Sequence, residues 1–221
     1  MNKLWIYGCS FSEPFQIEDP KNPEVYPTND ESFRNLTSDY WGTHLSKKMG
    51  MECVTRSLSG VGLNYINYLI NLDMMKWDKN DVIIINPSFF TRITIMEFKN
   101  KFITTDFIEK FINENTIDIV KKPDEIFEHN QLIWKKIISN LQHVGYNVYT
   151  WLIDYPKNIE GVNNIITSPN NDLNWKDWMY VHPEYWFSKP GEIYPLGDWH
   201  FNELAHLVVA DRMYDYIINK K

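Results

Sequence analysis

Ser10 follows a short apolar run, Leu4-Trp5-Ile6-Tyr7, and the pair Gly8-Cys9. A serine hydroxyl is a weak nucleophile near neutral pH. It attacks a carbonyl only with a base in hydrogen-bond reach, a group that orients the base, and donors for the developing oxyanion. His200 can serve as the base and Asp198 as the group that orients it. In Ser59-Gly60-Val61-Gly62-Leu63-Asn64, the glycines Gly60 and Gly62 let a backbone N–H approach a substrate with no side chain in the way. Asn86 or Asn64 would add a side-chain donor. Arg92 is suited to a substrate carboxylate or phosphate, or to an ordinary surface ion pair.

These residues are useful only if the fold brings them together. Leu4 to Tyr7 reads as a buried strand that stops at Gly8. Asp39 to Met49 reads as a short helix closed by Gly50, and Cys53-Val54-Thr55 as a second strand. A helix is expected from Leu63 to Met75, with Ile66, Leu69 and Ile70 on one face. Val82-Ile83-Ile84-Ile85 is the clearest strand, since four consecutive β-branched residues suit burial on both faces of a parallel sheet. Pro123 to Leu141 reads as a helix with Ile126, Ile133, Ile137 and Leu141 at helical spacing, ended by Gly145. Val148 to Ile153 is the next strand. Leu204 to Ile218 is a terminal helix with Leu207, Val208, Tyr214, Ile217 and Ile218 as core contacts.

Strands alternating with helices imply a three-layer α/β/α sandwich on a parallel sheet, with strand one central. In such sheets ligands bind at the carboxyl ends of the strands. The segments carrying Ser10, Gly60 and Asn86 each follow a predicted strand, and Asp198-Trp199-His200 precedes the last helix. All four are therefore expected at one edge. The chain reads as one domain over 1–221, with an irregular aromatic-rich insertion at about 156–197. Trp175, Trp178, Tyr180, Tyr185, Trp186, Tyr194 and Trp199 lie in or beside it. Such rings either pin a loop to the core, the preferred reading, or form a platform for sugar rings or acyl chains. Trp186 and Trp199 join Arg92 as candidate substrate contacts. Cys9 is expected to be a small buried residue, and His206 to pack on its helix.

Gly8-Cys9-Ser10-Phe11-Ser12 resembles the first block of the SGNH/GDSL hydrolases. Ser59 to Asn64 is similar to their glycine block, and Asp198-Trp199-His200-Phe201-Asn202 to their last. The resemblance implies a flavodoxin-like α/β/α sandwich, a Ser-His-Asp site, an oxyanion hole, and hydrolysis or transfer of acyl esters, thioesters or sugar O-acetyl groups with no metal or cofactor. The chain departs from the pattern at three places. Cys9 stands where the named motif has Asp. Asn86-Pro87-Ser88 stands where the third block reads Gly-x-Asn-Asp, so its asparagine falls to Asn86, to Ser88 or to neither. One residue, where the family has two, separates Asp198 from His200.

The 221 residues suffice for one sizeable core. A formal net charge of -7 and the absence of any Lys/Arg cluster longer than a pair argue against a nucleic-acid or anionic-membrane surface. Two cysteines make no disulfide framework, and no signal peptide or ~20-residue apolar span is visible, so a cytoplasmic protein is expected. The expected activity is that of a serine esterase on a small-molecule or glycan acyl ester, with carbohydrate O-acetyl esters the first choice and an acyltransferase a close variant. The alternative is a non-catalytic glycan-binding or structural protein that keeps the sandwich.

Overall fold

The computed structural model describes residues 1–9, 40–57, 61–87, 90, 94–96, 102–104, 123–153, 159–182 and 203–220. Five strands form a parallel sheet: β1 (Lys3–Gly8), β2 (Glu52–Ser57), β3 (Val82–Ile85), β6 (Asn147–Trp151) and β7 (Ile165–Ile166), in the order β2-β1-β3-β6-β7. β4 (Thr94–Met96) and β5 (Phe102–Thr104) pair antiparallel in a separate two-stranded sheet. Among the described residues the helices are α1 (Trp41–Met49), α2 (Leu63–Asp73), α3 (Pro123–His143), α4 (Trp175–Tyr180) and α5 (Glu203–Asn219), and a 3₁₀ turn (Met74–Lys76) extends α2. The central strand is β3 and not β1 as expected; β1 lies beside it, between β2 and β3.

Alternation along the strands builds the layers. Leu4 and Ile6 of β1, Val82 and Ile84 of β3, and Tyr149 and Trp151 of β6 face one core, completed by Trp41 and Leu45 of α1 and by Ala205, Val209 and Met213 of α5. Trp5, Tyr7, Ile83, Ile85 and Val148 face the other, against Ile66 and Ile70 of α2 and Trp134 and Ile138 of α3. The architecture is thus a three-layer α/β/α sandwich. β1 reaches β2 through α1 on one face. β2 reaches β3, on the far side of β1, through α2 on the other. Right-handed crossovers running in opposite directions require this arrangement. Among the described residues no helix is long and apolar enough to cross a membrane.

Several helix features follow from sequence. Gly50, at φ 66, and Gly145, at φ 93, end α1 and α3 in the left-handed region. In both, the glycine N–H and the next residue's N–H return to the last turn: Gly50 to Lys47 and Met51 to Ser46, Gly145 to Gln142 and Tyr146 to Leu141. Two helix faces are turned from their expected setting. On α3 the buried stripe is Trp134, Ile138 and Leu141, with Ile133 and Ile137 on its flank. On α5 it is Ala205, Val209, Ala210, Met213 and Ile217, while Leu207 and Ile218 are exposed. α5 packs on α1, and Lys48 of α1 pairs with Asp211 of α5. α1 in turn approaches the sheet so closely that a Cβ on Gly42 would collide with Ile6 and lie 2.5 Å from the Tyr40 ring. The stretch expected to be irregular supplies both β7 and α4.

Two buried carboxylates fasten the frame. Asp81, just before β3, accepts from Lys3 N (2.7 Å), Trp5 Nε1 (2.8 Å) and Asp78 N (3.0 Å), tying together the amino ends of β1 and β3. Asp73, at the end of α2, is held bidentately by Arg56 (2.8 and 3.1 Å) and by Lys76 (2.6 Å). Desolvation pushes the Asp73 carboxyl up, but the bonds and charges of Lys76 and Arg56 outweigh it and hold the group below the usual carboxylate range. A depressed native value stabilises the fold above the unfolded carboxylate value of about 4, and this contribution is lost as pH falls through the native value. Arg56 and Lys76 are 42% and 56% exposed, so solvent screens both. Asp73→Asn is expected to cost about 1–3 kcal/mol at neutral pH and to flatten the acid limb of stability, as measured by urea denaturation at pH 3 to 7.

Candidate functional site

The order β2-β1-β3-β6-β7 reverses direction between β1 and β3. The crevice outside the carboxyl ends of these two strands is where open α/β sheets place ligands. β1 ends here at Gly8, Cys9 follows it, and Ser10, the nucleophile candidate, is next in the chain.

Asn86 occupies the end of β3 and is 1% exposed. Its N–H donates to Tyr7 O at 2.8 Å, extending the β1–β3 ladder by one bond. Its side chain reaches both neighbouring strands. Nδ2 donates to Trp151 O at the end of β6 (3.4 Å), and Oδ1 faces the thiol of Cys9 (3.8 Å). Cys9 is fully buried, as expected. Two further side chains hold this edge. Thr150 Oγ1 donates to Ile85 O (2.6 Å), and Asn130 of α3 donates to Phe90 O (2.6 Å), beyond the Asn86-Pro87 turn. The sequence reading missed Asn130. Its signal was an amide at the helical spacing of the Trp134 and Ile138 stripe.

α1 and α5 bring other segments to the same edge. α1 descends from it, since Trp41 packs edge-on against Trp151 at the end of β6 (5.7 Å between centroids). α5 runs in the same direction as α1. Tyr40 meets His206 (6.5 Å), and Lys48, farther down α1, meets Asp211 (2.9 Å) and the Tyr214 ring (5.9 Å). Glu203, the first residue of α5, therefore stands at the carboxyl edge, and Asp198-Trp199-His200 lies a few residues before it in the chain. The α2 N-terminus opens at this edge as well. Gly62 is its extended N-cap (φ -92, ψ 171), and no acidic residue sits in its first turn or in that of α1. Positive helix-dipole ends are thus directed at the edge.

Of the sequence-predicted site residues, Asn86 directly follows β3 and Gly62 caps α2. Asn64, in the first turn of α2, is exposed. Ser10, Gly60, Ser88, Arg92, Trp186, Asp198, Trp199 and His200 lie outside the described residues. His206 packs edge-on against Tyr40, the N-cap of α1. Trp175 and Trp178 are 1% and 4% exposed and belong to the core around α1, α5 and β6. The phenols of Tyr7 and Tyr40 are both raised by burial, which keeps them protonated.

No family model matches the chain, and no curated protein matches it in sequence. Solved structures match it in shape. The psychrotrophic esterase EstA from Pseudoalteromonas sp., in a structure inhibited by monoethylphosphonate, is 14% identical over 100% of this chain and 98% of that one, with a TM-score of 0.47. A protein from Desulfitobacterium hafniense assigned as lipolytic, of the G-D-S-L family, is 13% identical over 98% and 99%, with a TM-score of 0.44. A protein from Parabacteroides merdae assigned as a GDSL-like lipase is 12% identical over 98% and 95%, with a TM-score of 0.47. At these identities and TM-scores the likeness carries no argument about activity. The α/β/α architecture rests on the strand order and the two cores.

The burial of Trp178 makes it a structural residue. Trp178→Ala is expected to cost about 3–5 kcal/mol in urea denaturation, the scale for emptying a buried indole. A variant with unchanged stability that binds substrate more weakly would favour the platform reading for Trp178 instead.

Proposed function

We propose that this chain is a serine hydrolase of acyl esters, with Ser10 as nucleophile, His200 as base and Asp198 orienting His200. The observation that carries the reading is the position of the Gly8-Cys9 turn, at the carboxyl end of β1 and at the strand-order reversal of a doubly wound sheet. The start of α5 at the same edge supports His200 as partner. In the proposed reaction Ser10 Oγ attacks the acyl carbon and His200 Nε2 takes the hydroxyl proton. The N–H groups of Ser10 and of Gly60 or Gly62 hold the oxyanion, which the α2 N-terminus also favours. His200 then protonates the departing alcohol, and water repeats the sequence to release the acid. An acceptor alcohol in place of water gives the acyltransferase variant.

Carbohydrate O-acetyl esters are the proposed substrate class, with Arg92, Trp186 and Trp199 as substrate contacts. The burial of Trp175 and Trp178 removes two rings from any glycan platform and counts against a purely glycan-binding role.

Ser10→Ala is expected to lower turnover of p-nitrophenyl acetate at least about a thousandfold, and an alkyl phosphonate to label Ser10 alone. Unchanged hydrolysis by the pure, folded variant would overturn the assignment. If Asp198 orients His200, Asp198→Asn should cost up to about ten-thousandfold in turnover with little change in melting temperature. A loss of stability with turnover nearly intact would instead make Asp198 a capping residue and the site a Ser-His dyad.

A further inference from the structure

We infer that Asn86 acts on the reaction as a positioning residue, through Cys9, and not as a donor to the oxyanion. This inference rests on the Ser10 reading above. The Trp151 carbonyl can only accept a hydrogen bond, so the end of the Asn86 amide that faces it at 3.4 Å must be the nitrogen. The amide oxygen is then fixed toward β1, where the Cys9 thiol is its donor at 3.8 Å. With its backbone N–H on Tyr7 O, Asn86 joins the carboxyl ends of β1, β3 and β6. Residue 9 is the last before Ser10, so the amide holds the residue that immediately precedes the proposed nucleophile in the chain. An oxyanion donor has to present its N–H to the crevice, whereas Asn86 is 1% exposed.

The same contact joins two departures from the SGNH pattern. Asp at position 9 would offer the Asn86 oxygen a carboxylate, which has no proton to donate when ionised. Cys supplies an S–H of suitable reach. Cys9 and Asn86 therefore act as one donor–acceptor pair in this chain.

The test is a double-mutant cycle on the full chain. Cys9→Ala, Asn86→Ala and the double variant are assayed with p-nitrophenyl acetate, and kcat is normalised to the Ser10 sites titrated by an alkyl phosphonate. That normalisation discounts protein that is merely misfolded. Misplacing a reacting group by about 1 Å costs up to about a hundredfold. Each single variant should lower kcat by about 10- to 100-fold with KM held within about threefold. The double variant should be no worse than the weaker single by more than about threefold, and Cys9→Ser should restore most of kcat. If Asn86→Ala does not fold, Asn86→Ser replaces it in the cycle. A Cys9→Ala variant with wild-type kcat, beside an Asn86 variant reduced a hundredfold or more, would overturn the inference and make Asn86 an oxyanion donor. Losses that multiply in the double variant, or wild-type kcat in every variant, would also overturn it. Wild-type protein that neither turns over ester nor is labelled at Ser10 would remove the hydrolase reading itself, and the inference with it.

Discussion

The double burial of β3 is the constraint on which the rest of the structure depends. All four of its side chains are fully buried, alternately in one core and the other. Each such side chain contributes about 1.5–3 kcal/mol only if a layer covers it. A strand of this kind needs strands on both sides and helices on both faces, which the sheet order and the crossovers provide. The neighbours cannot all arrive from one direction. β1 and β2 lie on one side of β3, β6 and β7 on the other, and the chain reverses between β1 and β3. The crevice at the carboxyl edge is a consequence of that burial.

Polar residues complete the constraint at the two ends of the sheet. At the amino edge a carboxylate, Asp81, gathers three N–H donors from three places. At the carboxyl edge an amide, Asn86, bridges three strands and uses both its donor and its acceptor. The difference suits the two positions. A carboxylate only accepts, so it ties down strand starts and a turn, where N–H groups are unpaired. An amide both donates and accepts, so it can face a strand-end carbonyl on one side and a thiol on the other. A buried amide also leaves the charge of the edge to other groups, among them the α1 and α2 N-termini.

The legible parts of the fold were those where a single local signal sufficed. The isoleucine run gave β3, and the glycines at 50 and 145 gave two helix ends. The illegible parts depended on partners far along the chain. α5 buries Ala205, Ala210 and Met213 and exposes Leu207 and Ile218, because the face it turns inward is set by its packing on α1 and the sheet and not by where its largest apolar residues fall. α3 turns Trp134 inward because Phe90, more than forty residues earlier, packs against it (5.5 Å between centroids). β7 has two residues, too few for any alternation to register. Near the carboxyl edge, the position of Asn86 just after β3 was readable from the isoleucine run before it. The contacts of Asn86 were not, since Cys9 and Trp151 lie 77 and 65 residues away.

The shortness of β7 also accounts for part of the aromatic content. Two residues pair with β6 and cannot by themselves cover that side of the sheet. The cover comes from rings. Trp41, Trp151, Trp175 and Trp178 stand in successive edge-to-face contacts of 5.7, 5.5 and 5.8 Å, running from α1 across β6 to α4. Trp175 also donates its indole N–H to Ile166 O in β7 (3.0 Å), so the ring both packs the edge and satisfies its backbone. Such pairs add about 0.5–1.5 kcal/mol each to the area they bury. Rings engaged in this way are not available to a substrate. Recognition on the proposed reading is therefore left to aromatic residues nearer His200 in sequence, Trp186 and Trp199. The two roles weighed for the aromatic segment then divide along the chain, with its first part committed to the core and its last part leading to the proposed base.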